Sequence, residues 1–297
     1  MNKKIDLIGV QIDCGASKRG SALGPAAMRL AGLSEGIRGL GYELNERNDI
    51  IAPPGGETSA TLRNYESVVA TCKELYEKNM ESFERGAFPI TIGGDHSLAA
   101  GSAQATLKHY NGKVGIIWID AHGDWNDDTI TETGNMHGMS FSALCGHGPD
   151  MMVDFGQGPV YADPTKCVQI AGRDIDKLEA EKMKAKGLHV FAIDTIDRLG
   201  IYEVMKQAIE IASNGTEGIH LSFDIDSLTP EAAPGTGTLV HSGLTVREAF
   251  TTVEILAESG KVVAMDMVEV NPILDDHNKT AVLAMELVLA MLGKTVY

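Results

Sequence analysis

Short apolar runs rich in β-branched residues alternate with longer amphipathic stretches along nearly all of this 297-residue chain. That alternation constrains the fold more than any other feature. Residues 5–10, 88–92, 114–120, 167–171, 190–193, 218–223 and 262–270 read as strands. Residues 25–40, 59–86, 97–110, 176–186, 196–212, 245–259 and 281–292 read as helices. Pro25 sits in a first turn, where its missing N–H costs nothing. The strands are apolar on both faces, as a parallel sheet covered on both sides requires, and repeated strand-then-helix order builds such a sheet. The expected fold is α/β, an open three-layer αβα sandwich; a (β/α)₈ barrel is the alternative. No repeat, low-complexity tract or linker divides the chain, so residues 1–297 are expected to form one domain.

The chain is 43% hydrophobic and 22% charged, enough apolar content for a sizeable core, which excludes disorder over most of its length. Its formal charge of −16 disfavours phosphate backbones and anionic lipid, so neither nucleic acid nor membrane is an expected partner. The same surplus of carboxylates suits cation binding. Cys14, Cys72, Cys145 and Cys167 lie far apart with no C-x-x-C pair, which fits a reducing compartment and neither a zinc ribbon nor a disulfide scaffold. The opening segment from Met1 to Ile8 carries basic residues. However, Asp6 and Gln11 interrupt the apolar run and no small-residue cleavage site follows, so it reads as a first strand rather than a leader. Nothing reaches the ~18 apolar residues of a membrane span. The phosphate-binding glycine motifs of nucleotide sites are missing too.

In sheets of this kind ligands collect beyond the carboxyl ends of the strands. Past 88–92 stands Gly93-Gly94-Asp95-His96-Ser97; past 114–119, Asp120-Ala121-His122-Gly123-Asp124; past 219–223, Asp224-Ile225-Asp226; past 262–268, Glu269-Val270-Asn271-Pro272. Residues two apart in extended chain point the same way, so Asp120, His122 and Asp124 share a face, as do Asp224 and Asp226. Four carboxylates enclosed together repel and pay a desolvation cost; two divalent cations would cancel them. Oxygen donors with a minority of imidazole suit manganese better than a thiolate-demanding zinc site. Two such ions roughly 3.5–4 Å apart can acidify a shared water, and the reaction class this favours is hydrolysis. His109, His189 and His220 read as surface or core histidines, Cys145 and Cys167 as buried thiols, and residues 177–186 as a solvated helix face.

These motifs, with Gly15-Ala16-Ser17-Lys18-Arg19-Gly20 and Gly24-Pro25-Ala26-Ala27-Met28-Arg29 before them, resemble the ureohydrolase family from end to end, and within it the bacterial arginases. The resemblance implies an αβα fold with an eight-stranded, mainly parallel sheet, two Mn²⁺ per chain, a homotrimer or homohexamer, and arginine catabolism in the cytoplasm. It implies His96, Asp120, Asp124 and Asp224 around one manganese, and His122, Asp120, Asp224 and Asp226 around the other. A bridging hydroxide would attack the guanidinium carbon of L-arginine, giving L-ornithine and urea. Asp124 would relay a proton, Glu269 would pair with the guanidinium group and His137 would be the proton shuttle.

The stretch Thr131-Glu132-Thr133-Gly134-Asn135-Met136-His137-Gly138 resembles the loop with which arginases grip the substrate's α-carboxylate. Asn126, Thr133 and Asn135 fall on those positions, Asp176 falls where the α-ammonium is held, and Thr131 and Thr238 complete the substrate-binding set. Three departures stand out. Thr133 replaces a serine but keeps its hydroxyl. Asp127 and Asp128 occupy positions where uncharged residues are common, and would repel the substrate carboxylate if they faced it. Thr229 replaces an aspartate of a turn, which could loosen the geometry around Asp226. Agmatinase, formimidoylglutamase or another guanidino-compound hydrolase is the alternative within the family, and a non-catalytic metal- or arginine-binding paralogue the alternative outside catalysis.

Overall fold

The computed structural model describes residues 4–55, 59 and 61–295. Met1, Asn2 and Lys3 of the opening segment, and Ala60 within the expected 59–86 helix, lie outside these described residues. The strands are β1 (Lys4–Gln11), β2 (Glu43–Glu46), β3 (Ile50–Ile51), β4 (Phe88–Gly93), β5 (Val114–Ile119), β6 (Cys167–Ile170), β7 (His189–Phe191), β8 (Gly218–Asp224) and β9 (Val262–Val268). All their pairings are parallel. Eight follow the order β2-β1-β4-β9-β8-β5-β6-β7, and the two-residue β3 continues the β2 edge alongside β1. Among the described residues the sheet therefore has nine strands, one more than expected, and it ends at β2 and β7 rather than closing into a barrel.

The helices are α1 (Gly24–Leu30), α2 (Leu33–Gly39), α3 (Tyr65–Glu84), α4 (Ala99–His109), α5 (Ser140–Leu144), α6 (Lys177–Ala185), α7 (Ile193–Leu199), α8 (Ile201–Ala212), α9 (Val246–Ser259) and α10 (Lys279–Met291). Strand β5 shows why they form two layers. Its Ile117 and Ile119 join one core with Met28 of α1, Ile37 of α2, Val204 of α8, Val253 of α9 and Leu287 of α10. Its Ile116 and Trp118 join the other with Cys72 of α3, Ala103 of α4 and Phe141 of α5. A period of two along a strand buried on both faces produces the sandwich.

Two expected helices are broken, both at glycine. Gly32 (φ 99°) divides 25–40 into α1 and α2, and Gly200 (φ 77°) separates α7 from α8. A helix cannot run through a positive φ, and glycine is the residue that adopts one without penalty. His220 is a core histidine, buried between Thr106 Oγ1 (2.9 Å) and Asp266 Oδ2 (2.9 Å). Cys145 and Cys167 are buried free thiols, their sulfurs 4.0 Å apart. Among the described residues no helix is long and apolar enough to cross a membrane.

Candidate metal centre

The four strands whose ends carry acids and histidines, β4, β9, β8 and β5, are consecutive neighbours in the middle of the sheet. Their carboxyl ends therefore open onto one place. Gly94, past β4, is there for close approach: a Cβ on it would lie 2.1 Å from the carbonyl of Ile12. Asp95 is structural, with Oδ2 accepting from the N–H of Gly15 (2.8 Å) and Oδ1 from that of Ser97 (3.1 Å).

His96 is buried, and its ring is oriented from two sides. It stacks on Trp118 (4.1 Å between centroids, 9°), Trp118 stacks on Phe141, and Nε2 meets Ser222 Oγ at 2.8 Å. Nδ1 is left facing Asp120 Oδ2 at 3.0 Å, Asp124 Oδ2 at 3.1 Å and Asp224 Oδ2 at 3.1 Å. One nitrogen cannot serve three carboxylates, and Asp124 Oδ2 is buried without a hydrogen-bond partner. On the other side of Asp120, His122 Nδ1 faces Asp120 Oδ1 at 3.3 Å and Asp226 Oδ2 at 3.2 Å. The donor atoms gather into two groups, His96–Asp120–Asp224 and Asp120–His122–Asp226, each compact enough to hold one ion. Asp120 belongs to both. Neutral imidazole nitrogens and carboxylate oxygens around shared points, with one acid oxygen unpartnered, fit a pair of divalent cations.

Charges in this cluster press on one another. Burial opposes the charged form of His96 and of His122, yet the surrounding carboxylates outweigh it and hold both imidazoles well above their usual range. Burial would raise Asp120, but hydrogen bonds from His122 and His96 keep it low. Burial and the charges of Asp226 and Asp120 push Asp224 up; burial and the charge of Asp120 lift Asp124 to about 6. Because cation ligands must be deprotonated, loading with Mn²⁺ should expel protons from His96 and His122. Affinity should then rise with pH below their raised values, by about tenfold per pH unit for each proton displaced. Calorimetric titration in buffers of different ionisation enthalpy checks this; a heat independent of buffer would refute it.

Glu269 and His137 close the mouth. Glu269 Oε1 accepts from the N–H of His96 (2.9 Å) and lies 2.9 Å from His137 Nδ1. Burial opposes the imidazolium of His137, but the hydrogen bond and charge of Glu269 outweigh it and lift the ring to about 9. Both Asp124 (φ 48°) and Glu269 (φ 62°) have left-handed backbone. Asp226 is well held: Thr238 Oγ1 donates to its Oδ2 (2.8 Å), and Arg173 Nη2 to its carbonyl (2.8 Å). The guanidinium of Arg173 also bonds the carbonyls of Ala171, Ser227, Leu228, Val240 and His241. The loosening expected from Thr229 is therefore not seen; its turn is closed by backbone, Ala232 N to Thr229 O at 2.9 Å.

A cavity of about 150 Å³ beside the histidines is lined by Asp124, Asn126, His137, Asp176, Glu179 and Thr238, among others. A second, of about 320 Å³, adjoins it at His137 and is lined by Lys18, Asn135 and Glu269. Thr131 and Thr133 line neither. Their hydroxyls accept from the N–H groups of Gly134 (2.9 Å) and Asn135 (3.2 Å), and so shape the loop. Asp127, expected to repel a substrate carboxylate if it faced one, does not line either cavity: it is buried and ion-paired with Lys182. Asp128 is exposed.

Sequence reasoning missed two residues. Arg173 stood in a motif quoted only for Asp176. Glu179 stood in a helix read as a solvated face, yet it is 3% exposed and accepts from the N–H of Trp125 (2.7 Å) and of Asp176 (3.1 Å). Burial lifts its carboxyl to about 7. A capping-box spacing, Asp176 to Glu179, was the available signal.

A family model described as the arginase family matches residues 3–293. An arginase of Staphylococcus aureus (strain MRSA252) is 40% identical over 300 residues, covering 99% of this chain and 98% of that protein. An arginase of Bacillus caldovelox is 38% identical over 299 residues, covering 98% and 99%. A solved structure of arginase from Bacillus caldovelox superposes with a TM-score of 0.96 at 37% identity and full coverage of both chains.

Proposed function

The chain belongs to the arginase family, hydrolases that act on a guanidino C–N bond, and from that premise we propose that it converts L-arginine to L-ornithine and urea at a centre of two manganese ions. His96, Asp120, Asp124 and Asp224 would hold one ion; His122, Asp120, Asp224 and Asp226 would hold the other. The observation that carries this reading is His96 Nδ1 facing three carboxylate oxygens at 3.0–3.1 Å, one of them from an aspartate whose other oxygen turns to His122. When bound, the ions would supply a water acidified far enough to act as a nucleophile near neutral pH.

The chain's own residues would do the rest. Glu269 presents a fixed carboxylate to a planar cation, the pairing that favours a guanidinium group. Water adds to the guanidinium carbon, the bond from that carbon to the chain-bearing nitrogen breaks, and that nitrogen departs as an ammonium group while urea is left behind. Asp124, beside His96 at the centre of the cluster, would relay a proton in that sequence. His137 stands at the junction of the two cavities with its side chain 15% exposed, so it can pass protons between the site and solvent.

An amino-acid head suits the polar lining where the two cavities meet. Asn126 Nδ2 makes only a long bond (3.3 Å) to Asp176 Oδ2, and Asn126 Oδ1 is buried without a partner. An ammonium group and a carboxylate arriving together would complete what Asp176, Asn126 and Asn135 leave open. The test is urea release by manganese-loaded protein with L-arginine and agmatine side by side. Urea with ornithine from arginine is expected, at a kcat/KM roughly 10² or more above that for agmatine, since a site built to bond polar head groups rejects an analogue lacking them. Urea mainly from agmatine would overturn the head-group reading while sparing the hydrolytic one.

A further inference from the structure

Three consecutive residues beyond β5 are each held by a side chain of α6 or of its cap. The N–H of Trp125 donates to Glu179 Oε1 (2.7 Å), Asn126 Nδ2 donates to Asp176 Oδ2 (3.3 Å), and Asp127 Oδ2 is ion-paired with Lys182 Nζ. The helix positions are spaced by three, so they stand along one face. Asp127 is also the origin of the turn that follows. Its carbonyl accepts from Thr131 N (3.0 Å), its Oδ1 from Thr129 N (2.8 Å), and Lys182 reaches Thr129 Oγ1 at 3.3 Å. Asp127 is 6% exposed, and Lys182 is the cation that meets it.

Of these contacts, the one between Asn126 and Asp176 joins two residues that line the cavity from opposite elements, and at 3.3 Å it is a long one. A 3.3 Å bond is too weak to fix that separation unaided. Two flanking contacts tie the loop to the helix: the Trp125 N–H to Glu179 bond on one side of Asn126, and on the other the ion pair of Asp127 with Lys182, the one made by side chains alone.

We propose that Asp127 and Lys182 are positioning residues that hold Asn126 at its distance from Asp176 and thereby set the affinity for the amino-acid head of the substrate, without contributing to cleavage of the guanidino bond. This rests on the arginine reading above. Asp127, the departure that would have weakened binding had it faced the substrate, instead strengthens it from behind.

The experiment compares the full-length, manganese-loaded protein with Lys182→Met, Lys182→Arg and Asp127→Asn/Lys182→Met, measuring urea release and thermal unfolding. In Lys182→Met the KM for L-arginine should rise about five- to tenfold with kcat within about twofold, the signature of lost binding shared by ground and transition states. The KM of agmatine, or its Ki if it only inhibits, should not move. Lys182→Arg should restore the arginine KM. The double variant should regain the thermal stability lost when Lys182→Met leaves a buried carboxylate unpaired, yet keep the raised KM. An unchanged arginine KM in Lys182→Met would overturn the proposal. So would equal effects on arginine and agmatine, or a KM that returns to normal with stability in the double variant. A parent protein that releases no urea from arginine would overturn the arginine reading itself, a distinct result.

Discussion

Replacing Asp120 with alanine should remove both metal ions from the protein and lower kcat by roughly 10³-fold or more, about 4 kcal/mol of barrier. Asp120 Oδ2 stands 3.0 Å from His96 Nδ1 and takes the indole N–H of Trp118 at 3.1 Å; Oδ1 stands 3.3 Å from His122 Nδ1 and takes the backbone N–H of His122 at 2.7 Å. Among the described residues, Asp120 is the one that stands in both compact donor groups, and with Asp224 it would be shared between the ions. Asp226→Ala, by contrast, should cost the ion on the His122 side and leave the one beside His96. Metal content after gel filtration, with unfolding followed in parallel, separates these outcomes from misfolding. Asp120 is held ionised by His122 and His96 and accepts two N–H bonds, so Asp120→Ala should also lower the stability of the metal-free fold; a variant that still unfolds cooperatively keeps the metal readout valid. Full occupancy in that variant would sink the assignment of Asp120 as a shared ligand.

Glu269→Gln should lower kcat/KM for arginine by about 10²–10³-fold while leaving metal content unchanged. The amide keeps the size of the side chain and can still accept from the N–H of His96, but it cannot carry the charge that faces a guanidinium cation. Glu269 stands in neither ligand group, and so its loss should be felt in catalysis and substrate affinity alone. Activity within tenfold of the parent would mean that another group neutralises the substrate. A loss of metal would mean that Glu269 supports His96, whose backbone N–H it accepts, more than it recognises substrate.

The central strands were legible because burial on both faces left them almost no polar residues. The acids at their ends stood out against that background for the same reason. Which strands lie side by side was not legible: β4, β9, β8 and β5 are adjacent through connections that span much of the chain, and no local pattern encodes such pairing. The edge strand β2 escaped notice because its residues, Glu43-Leu44-Asn45-Glu46, are half exposed and polar, so alternation never showed. The breaks at Gly32 and Gly200 could have been foreseen only by letting a single glycine override a continuing apolar period. Glu179 and Asp127 were obscured by the ordinary expectation that charge belongs in water. Each is buried because a partner from another element meets it: the Trp125 N–H in one case, beside the N–H of the helix's own cap Asp176, and Lys182 in the other. Thr131 and Thr133 show the reverse: hydroxyls matched to substrate by resemblance are engaged by the loop's own backbone.

The left-handed backbone at Asp124 and Glu269 has a consequence for anyone who evolves this protein in the laboratory. Each non-glycine residue there carries a conformational penalty of about 1–2 kcal/mol, and each adds a buried carboxylate to a crowded acidic cluster. At Asp124 glycine would relieve both burdens at once, whereas at Glu269 it would relieve the backbone but leave the N–H of His96 and the ring of His137 without their partner. A library sorted only for heat resistance would therefore drift toward glycine at Asp124 and accumulate robust, inert variants. Turnover has to be part of the selection from the first round, because stability and activity pull in opposite directions at the residues that matter most.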